Sequence, residues 1–367
     1  MLKKIFKFNL ILKSVSIVSV FSILLAYLAP YVHPEKLWVL PFFGLSYPVF
    51  FFITLFLIIL WGLKRSKWAI YLLVLLVFGL FFDLRFFALG NPDVLPKEDQ
   101  TDLKIMSYNV QLFGLYNNEL ENERQNRDSI LSYIKRESPE LICFQEFYQK
   151  EKPTRFSTRD TISKMMGMNY FHEKYSFNSR VKRNFGIAMI SKYEIISKGD
   201  VVFLNNENFS DDNYCIYADI VKNKDTLRIY NIHFQSIKFK KEEYALFSQE
   251  NKIDTTFVTK KSTARLMVSK LKRAFPVRAD QALTVVEHIQ TSPFPVIVCG
   301  DFNDTPMSFT YNQFNKLFTD AFRNCSYGIG KTFVGKIPAG RIDYIFHTND
   351  LNSYEFKLQD EVFSDHR

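Results

Sequence analysis

The stretch PVIVCGDFND, Pro295 to Asp304, is an apolar run rich in β-branched residues that stops on a glycine and then offers two carboxylates and an amide. Such a run reads as a buried strand. If the extended geometry continues past Gly300, Asp301 and Asn303 project to the same side. The competing reading is an Asx turn, in which these side chains satisfy nearby backbone. Five further segments set a ligand-type or proton-transfer side chain beside an apolar run: LKIMSYN ending at Asn109, ELICFQE at Glu146, LRIYNIH at His233, RIDYIF carrying Asp343, and Ser364-Asp365-His366. Strands laid side by side bring such ends to one rim. Helical patterns alternate with them: Glu121 to Glu137 places Ile130, Leu131 and Ile134 on one side, and Ala279 to Gln290 does so with Leu283, Val286 and Ile289. The part from Leu103 onward suffices for one large domain and carries no internal repeat. Asn205 to Asn213 and Lys238 to Thr263 read as longer loops, the usual seat of substrate choice.

Oxygen ligands suit a hard divalent cation, and histidines left over suit proton transfer. Glu146, at the end of LICFQ, is the best candidate for direct metal coordination. Asp301 is placed to orient a water or to protonate a departing oxygen, and Asn303 to donate to a phosphate oxygen. His366 is the natural general base, since its ordinary pKa lies near neutrality and a carboxylate on its other nitrogen would fix the tautomer. Asp343 is the expected orienting partner, and Asp365 is expected to approach the metal or the backbone. His233 is a second imidazole suited to stabilising phosphoryl oxygens or donating a proton. Cys143 and Cys299 sit within apolar runs as small hydrophobes, while Cys215 and Cys325 are open to oxidation in an exported domain. No Cys or His spacing resembles a zinc site.

Residues 1–90 belong to a different solvent. Stretches from about 14 to 32, 38 to 62 and 68 to 89 each approach the roughly 20 residues that cross a bilayer as helix. They predict three transmembrane spans, a linker at 91–102 and a catalytic domain at 103–367. Asp83 and Arg85 are expected at the membrane interface. Lys3, Lys4 and Lys7 precede the first span and Lys64, Arg65 and Lys67 fill the second turn, which places both in the cytoplasm. A multi-pass protein of the cell inner membrane follows, its catalytic domain on the periplasmic or extracellular side. Residues 1–90 hold nine Lys or Arg against two Asp or Glu, leaving 38 against 36 for the rest, so bulk charge does not announce a nucleic-acid binder. One local run, Lys260, Lys261, Arg265, Lys270, Lys272, Arg273 and Arg278, either grips phosphates of a polyanion or lipid headgroup or is a solvated face.

The ordered series SYN, Glu146, NIH, GDFND, RIDYIF and SDH resembles the endonuclease/exonuclease/phosphatase superfamily from about Leu103 to Arg367. The resemblance implies a four-layer α/β sandwich, two mainly antiparallel sheets flanked by helices, with the active site at the rim. It implies Mg²⁺ or Mn²⁺ bound through Glu146 with Asn109 and Asp365 close by, His366 paired with Asp343, Asp301 and Asn303 handling nucleophile and phosphate, and His233 stabilising the transition state. NFGIAMI, Asn184 to Ile190, resembles the family's Gly-containing central strand, and nearby Arg183 is a candidate phosphate contact. The implied activity is phosphodiester hydrolysis, first of nucleic acid, alternatively of a phospholipid headgroup in the manner of sphingomyelinases, or of inositol phosphates. A non-catalytic scaffold is the remaining alternative, and no feature points to a protein partner. Family members continue past SDH into a last strand, so His366, one residue from Arg367, is expected to fray.

Overall fold

The computed structural model describes residues 2–91, 102–114, 120–150, 157–178, 183–203, 213–237, 257–335 and 340–367. Of the loops expected at Asn205 to Asn213 and Lys238 to Thr263, residues 205–212 and 238–256 lie outside the described residues, as does most of the 91–102 linker.

Period-2 alternation sorts the strand residues into two faces, and that sorting builds the layers. Strands β1 (Ala88–Leu89), β2 (Ile105–Asn109), β3 (Leu141–Lys150), β4 (Tyr170–Asn178), β5 (Arg183–Ser191), β6 (Glu194–Asp200), β7 (Tyr214–Lys222), β8 (Asp225–His233), β9 (Val296–Asp301), β10 (Thr319–Asp320), β11 (Tyr327–Gly328) and β12 (Asp343–His347) follow in chain order. They form a four-stranded sheet ordered β2-β3-β5-β4 and a six-stranded sheet ordered β10-β12-β9-β8-β7-β6. Among the described residues only the pairs β2–β3 and β8–β9 are parallel. Leu141 and Cys143 of β3 meet Ile229 of β8 and Ile297 and Cys299 of β9 in a core between the sheets. The alternate residues Ile142 and Phe144 face Ile130 and Ile134 of helix α6 (Leu120–Glu137) and Ile162 of α7 (Thr158–Met166). On the other side, Tyr230, Ile232 and Val298 face Ala282, Val285 and Ile289 of α8 (Phe257–Ile289), together with Tyr311 and Phe314 of α9 (Phe309–Asn315). Helix, sheet, sheet and helix thus stack in order, and burying each such aliphatic or aromatic side chain contributes about 1.5–3 kcal/mol. All four cysteines are buried and free, which removes the pairing left open for Cys215 and Cys325. Helix α8 begins at Phe257, inside the stretch expected to be loop up to Thr263, and passes through Pro276.

The N-terminal region departs from three uninterrupted spans. Among the described residues one helix, Asn9–Tyr31, has the length and apolarity to cross a membrane; it lies mostly within α1 (Leu2–Leu28). The second stretch breaks at Ser46 into α2 (Leu40–Leu45) and α3 (Tyr47–Leu63), because Pro41 and Pro48 each occupy a first helical turn, where proline starts a helix rather than continuing one. The third breaks at Gly79 into α4 (Trp68–Phe78) and α5 (Leu80–Phe86). The end of the third stretch packs on the domain that follows, and the side chain of Asp83 lies outside the described residues. Arg85 is buried, its Nη2 donating to Asn312 Oδ1 at 3.0 Å, while Asn312 Nδ2 donates to the Pro30 carbonyl at 2.8 Å and Arg341 Nη2 to the Arg85 carbonyl at 2.9 Å. Strand β1 pairs with β11, and a Cβ on Gly44 would lie 2.6 Å from the Met307 carbonyl oxygen. The N-terminal helices therefore pack directly on the segment that follows GDFND.

Candidate active site

Antiparallel register places Asp343, the first residue of β12, opposite Asp301, the last of β9. Parallel register places His233, the last of β8, beside Asp301 on the other flank. Gly300 makes that crowding feasible, since a Cβ there would come within 2.1 Å of the Ile232 carbonyl oxygen and its φ is +147°. Asn109 closes the neighbouring sheet's edge and donates from Nδ2 to Asp301 Oδ2 at 3.1 Å. The two sheets thus meet at a single rim through a hydrogen bond between their strand ends.

His366 is buried to 5 % exposure, contrary to the fraying expected of it. Its Nδ1 lies 3.1 and 3.0 Å from the two Asp343 oxygens. A carboxylate only accepts, so Nδ1 carries the proton and Nε2 is left facing the site, 3.7 Å from Asp301 Oδ2. The support comes from residues that the sequence reading passed over. Phe333 forms a β-bridge with His366 and sets its ring edge-on to the imidazole, with centroids 5.1 Å apart. Thr332 Oγ1 accepts from the backbone of Ile342 and Asp343, and its carbonyl accepts from Arg367 N. Val334 N donates to the Asp365 carbonyl, and Ser364 Oγ donates to the Asn109 carbonyl at 2.9 Å. No motif marked Thr332 or Phe333; only the pairing of that segment with the SDH tripeptide reveals them.

Glu146 is not at a strand end. Strand β3 runs on to Lys150, and its register with β5 slips between Phe144 and Phe147, so Gln145 and Glu146 form a bulge, with Glu146 at φ 50°. The bulge swings the carboxylate out of the sheet toward the rim, 3.9 Å from His233 Nε2. Bulging strands the ladder carbonyls of Phe144 and Ala188, and Asn231 of β8 caps both from Nδ2, at 3.0 and 2.9 Å. Gln145 Nε2 in turn donates to Asn231 Oδ1 at 2.7 Å. This buried amide pair between the sheets is a second positioning element missed in the sequence, where Asn231 read as one residue of a strand.

The extended continuation expected through Asn303 is likewise not observed. The strand ends at Asp301, Asn303 is left-handed at φ 53°, its N–H donates to Asp301 Oδ1 at 2.8 Å, and its Nδ2 donates to the Phe234 carbonyl at 3.1 Å. The Asx turn holds the Asp301 carboxylate instead of aligning two side chains on an extended strand. Arg183 opens β5 opposite Lys150, beyond the bulge; its side chain lies outside the described residues.

Electrostatics at the rim show a concentration of negative charge in a confined space. Burial, with the charges of Asp365 and Asp301, pushes the Glu146 carboxyl up to about 7. Its side chain is hemmed in by protein yet 34 % exposed, so solvent moderates the energetic consequence of that shift. Burial also raises Asp301 and Asp365. His366 is pulled down by burial, but Asp343 and Asp301 outweigh it and bring the imidazole to about 10. Carboxylates that resist ionisation together, one of them open to solvent, are the donor set a hard divalent cation fits. Asp301, Asp343 and His366 also cluster closely enough to suggest a metal triad, but the hydrogen bond between His366 Nδ1 and Asp343 commits two of these three to each other.

Residues 106–366 match the Endonuclease/Exonuclease/phosphatase family, and residues 4–86 match a family described only as a domain of unknown function. A phospholipase C from Staphylococcus aureus is 30 % identical over 156 residues, which cover 38 % of this chain and 46 % of that protein, so the match spans less than half of the relative. Among solved structures, an endonuclease/exonuclease/phosphatase family protein from Leptotrichia buccalis C-1013-b aligns over 68 % of this chain and 89 % of its own, with TM-score 0.47 and 17 % identity. A β-hairpin deletion mutant of beta toxin from Staphylococcus aureus aligns over 73 % and 98 %, with TM-score 0.45 and 21 % identity. The family match runs from the second residue of β2 to His366 and includes every rim residue described above, and the chain belongs to the endonuclease/exonuclease/phosphatase family of metal-dependent phosphoric ester hydrolases.

Proposed function

We propose that the protein is a membrane-bound phosphodiesterase that hydrolyses the phosphoester of a phospholipid headgroup with Mg²⁺ or Mn²⁺, its catalytic domain outside the cytoplasm. The observation that carries this reading is the inverted polarity of the N-terminal helices. Ser16, Ser19 and Thr54 are buried, Ser19 and Thr54 sharing a hydrogen bond of 2.6 Å and Trp61 Nε1 donating to Ser16 Oγ at 2.9 Å, while Val18, Phe21, Phe52, Phe56, Ile59 and Val77 are exposed. Polar groups inside and apolar ones outside suit lipid as solvent. The same helices seat on Met307 and Asn312, six and eleven residues beyond Asp301, and this closeness in sequence to the rim supports a site that faces the membrane side. The three apolar segments then cross as one straight and two broken helices, with Lys64, Arg65 and Lys67 in the cytoplasm.

In this reading Glu146 and Asp365, with Asn109 beside them, hold the cation, which when bound neutralises charge building on the phosphoryl oxygens. The carboxylates hold the His366 imidazole protonated in the metal-free protein; with a bound cation offsetting their charge, His366 would take the proton from the attacking water through Nε2, while Asp343 holds its tautomer and supports the imidazolium that forms. Asp301, fixed by Asn109 and Asn303, orients that water. His233, Asn303 and Arg183 are assigned to the phosphoryl oxygens. The test uses the full chain in phospholipid nanodiscs, because removing residues 1–90 would strip partners from Asn312 and Arg341. Mg²⁺-dependent release of phosphorylated headgroup, abolished by EDTA, is expected. Nicking of plasmid DNA with headgroups untouched would replace this reading with the nuclease first expected from the sequence, hydrolysis of inositol phosphates alone would point to that substrate class, and silence in every arm would favour the scaffold.

A further inference from the structure

Helix α8 does two jobs along its length. From Arg278 to Ile289 it covers the six-stranded sheet, and Arg278, 2 % exposed, donates from Nε to the carbonyl of Gln235, two residues past His233, at 2.7 Å. Since β8 and β9 are parallel and α8 connects them, the turns before Arg278 run past the rim. Residues 265–278 rise roughly 20 Å at 1.5 Å per residue. This projecting part carries Arg265, Lys270, Lys272 and Arg273, and no acidic residue occurs between Phe257 and Ala279. It is also amphipathic in an unusual sense. Met267, Ala274 and Phe275 are buried on its inner face, whereas Leu266 and Val268 are exposed among the cations. Its neighbour is the turn between the first two apolar segments: Lys272 Nζ lies 4.3 Å above the Trp38 ring, Phe275 packs edge-on against Phe42, and His33 Nε2 is 3.2 Å from Asp280. Trp38, 45 % exposed, and Leu37 complete the surface.

We infer that the projecting half of α8, with Leu37 and Trp38, is a docking surface for anionic phospholipid headgroups that holds the active-site rim against the bilayer. The inference rests on the reading that residues 1–90 sit in the membrane. Charge complementarity selects the occupant, since an unbroken cationic stretch beside exposed leucine, valine and tryptophan matches anionic headgroups over acyl chains. It assigns a use to the basic run that the near-neutral catalytic domain otherwise leaves unexplained.

The experiment labels Ser269→Cys in the full chain with an environment-sensitive fluorophore; the four native cysteines are buried. The protein is placed in nanodiscs of phosphatidylcholine with or without phosphatidylglycerol. Emission should shift to the blue only with phosphatidylglycerol, revert in high salt, and require at least tenfold more phosphatidylglycerol when Lys270, Lys272 and Arg273 are changed together to Gln, with their reversal to Glu abolishing it. Emission indifferent to lipid charge, in protein that co-elutes with the discs, overturns the inference alone. Protein that elutes free of lipid overturns the bilayer reading and this one with it.

Discussion

The two sheets contribute unlike halves to one rim. From the six-stranded side come Asp301, Asp343 and His366, all on or against strand ends, with both Asp343 oxygens near His366 Nδ1 and both Asp301 oxygens accepting from amides. From the four-stranded side comes Glu146, on a bulge in mid-strand, a third exposed and held in place by its backbone. The difference follows from what each chemistry tolerates. A proton donor or acceptor must be aligned within a few tenths of an ångström of its path, so it is clamped on rigid elements. A metal-binding carboxylate must keep oxygens open, and a bulge offers direction without occupying them.

The sharpest way to break the comparison is His366→Ala. Turnover should fall about 10³-fold, within the range for loss of a general acid or base, while the Mg²⁺ concentration for half-activity stays within about twofold. A large loss of metal affinity would mean that the clamped half is itself the metal site. Glu146→Gln probes the other half and should act the opposite way, raising the Mg²⁺ requirement at least tenfold with a smaller loss of turnover at saturation. Its stability signature has a definite sign. With the folded carboxyl raised to about 7 against an ordinary value of 4.5, the ionised form is disfavoured in the fold, so metal-free protein is most stable below about pH 4.5 from this group and loses that contribution as pH rises through 7. Glu146→Gln should therefore stabilise the metal-free protein at pH 8 by about 1 kcal/mol after allowance for solvent, and should reduce the stabilisation that Mg²⁺ gives. A melting temperature unchanged at pH 8 and an unchanged metal titration would remove Glu146 from the cation site.

The clamped half was the more legible in sequence, for a physical reason. Strand ends are marked by where apolar alternation stops, so pattern alone puts His233, Asp301 and Asp343 at strand ends, and Asn109 likewise in the other sheet. Their convergence was not in the pattern; it came from the ordered resemblance. A bulge leaves no such mark, because ELICFQEFYQK reads equally well as a strand stopping at Glu146 or continuing through it. Asn303 was misplaced for a related reason, since a left-handed residue after a glycine cannot be told from an extended one by spacing. The three apolar stretches are legible from composition but their breaks are not: Pro48 opens a new helix after Ser46, and Gly79 lies against the Tyr27 side chain, a contact remote in sequence. Thr332, Phe333, Gln145 and Asn231 act through pairing partners remote in sequence, which a single chain read linearly does not expose.

The smallest expected effect on activity tests whether the two halves are coupled through the core beneath them. Asn231 caps the carbonyls of Phe144 and Ala188 at the bulge while standing two residues before His233. Asn231→Ala would leave two buried carbonyls without that donor, at about 1–3 kcal/mol for each unsatisfied group, and would leave Gln145 Nε2 with the longer bond to the Cys143 carbonyl at 3.2 Å. If the bulge is held by this amide, Glu146 should drift and the Mg²⁺ requirement rise severalfold, whereas turnover at saturating metal should change little because the His366 clamp draws nothing from Asn231. Equal losses in both quantities would show the rim to be one cooperative unit, and the division between a clamped and an open half would have to be abandoned.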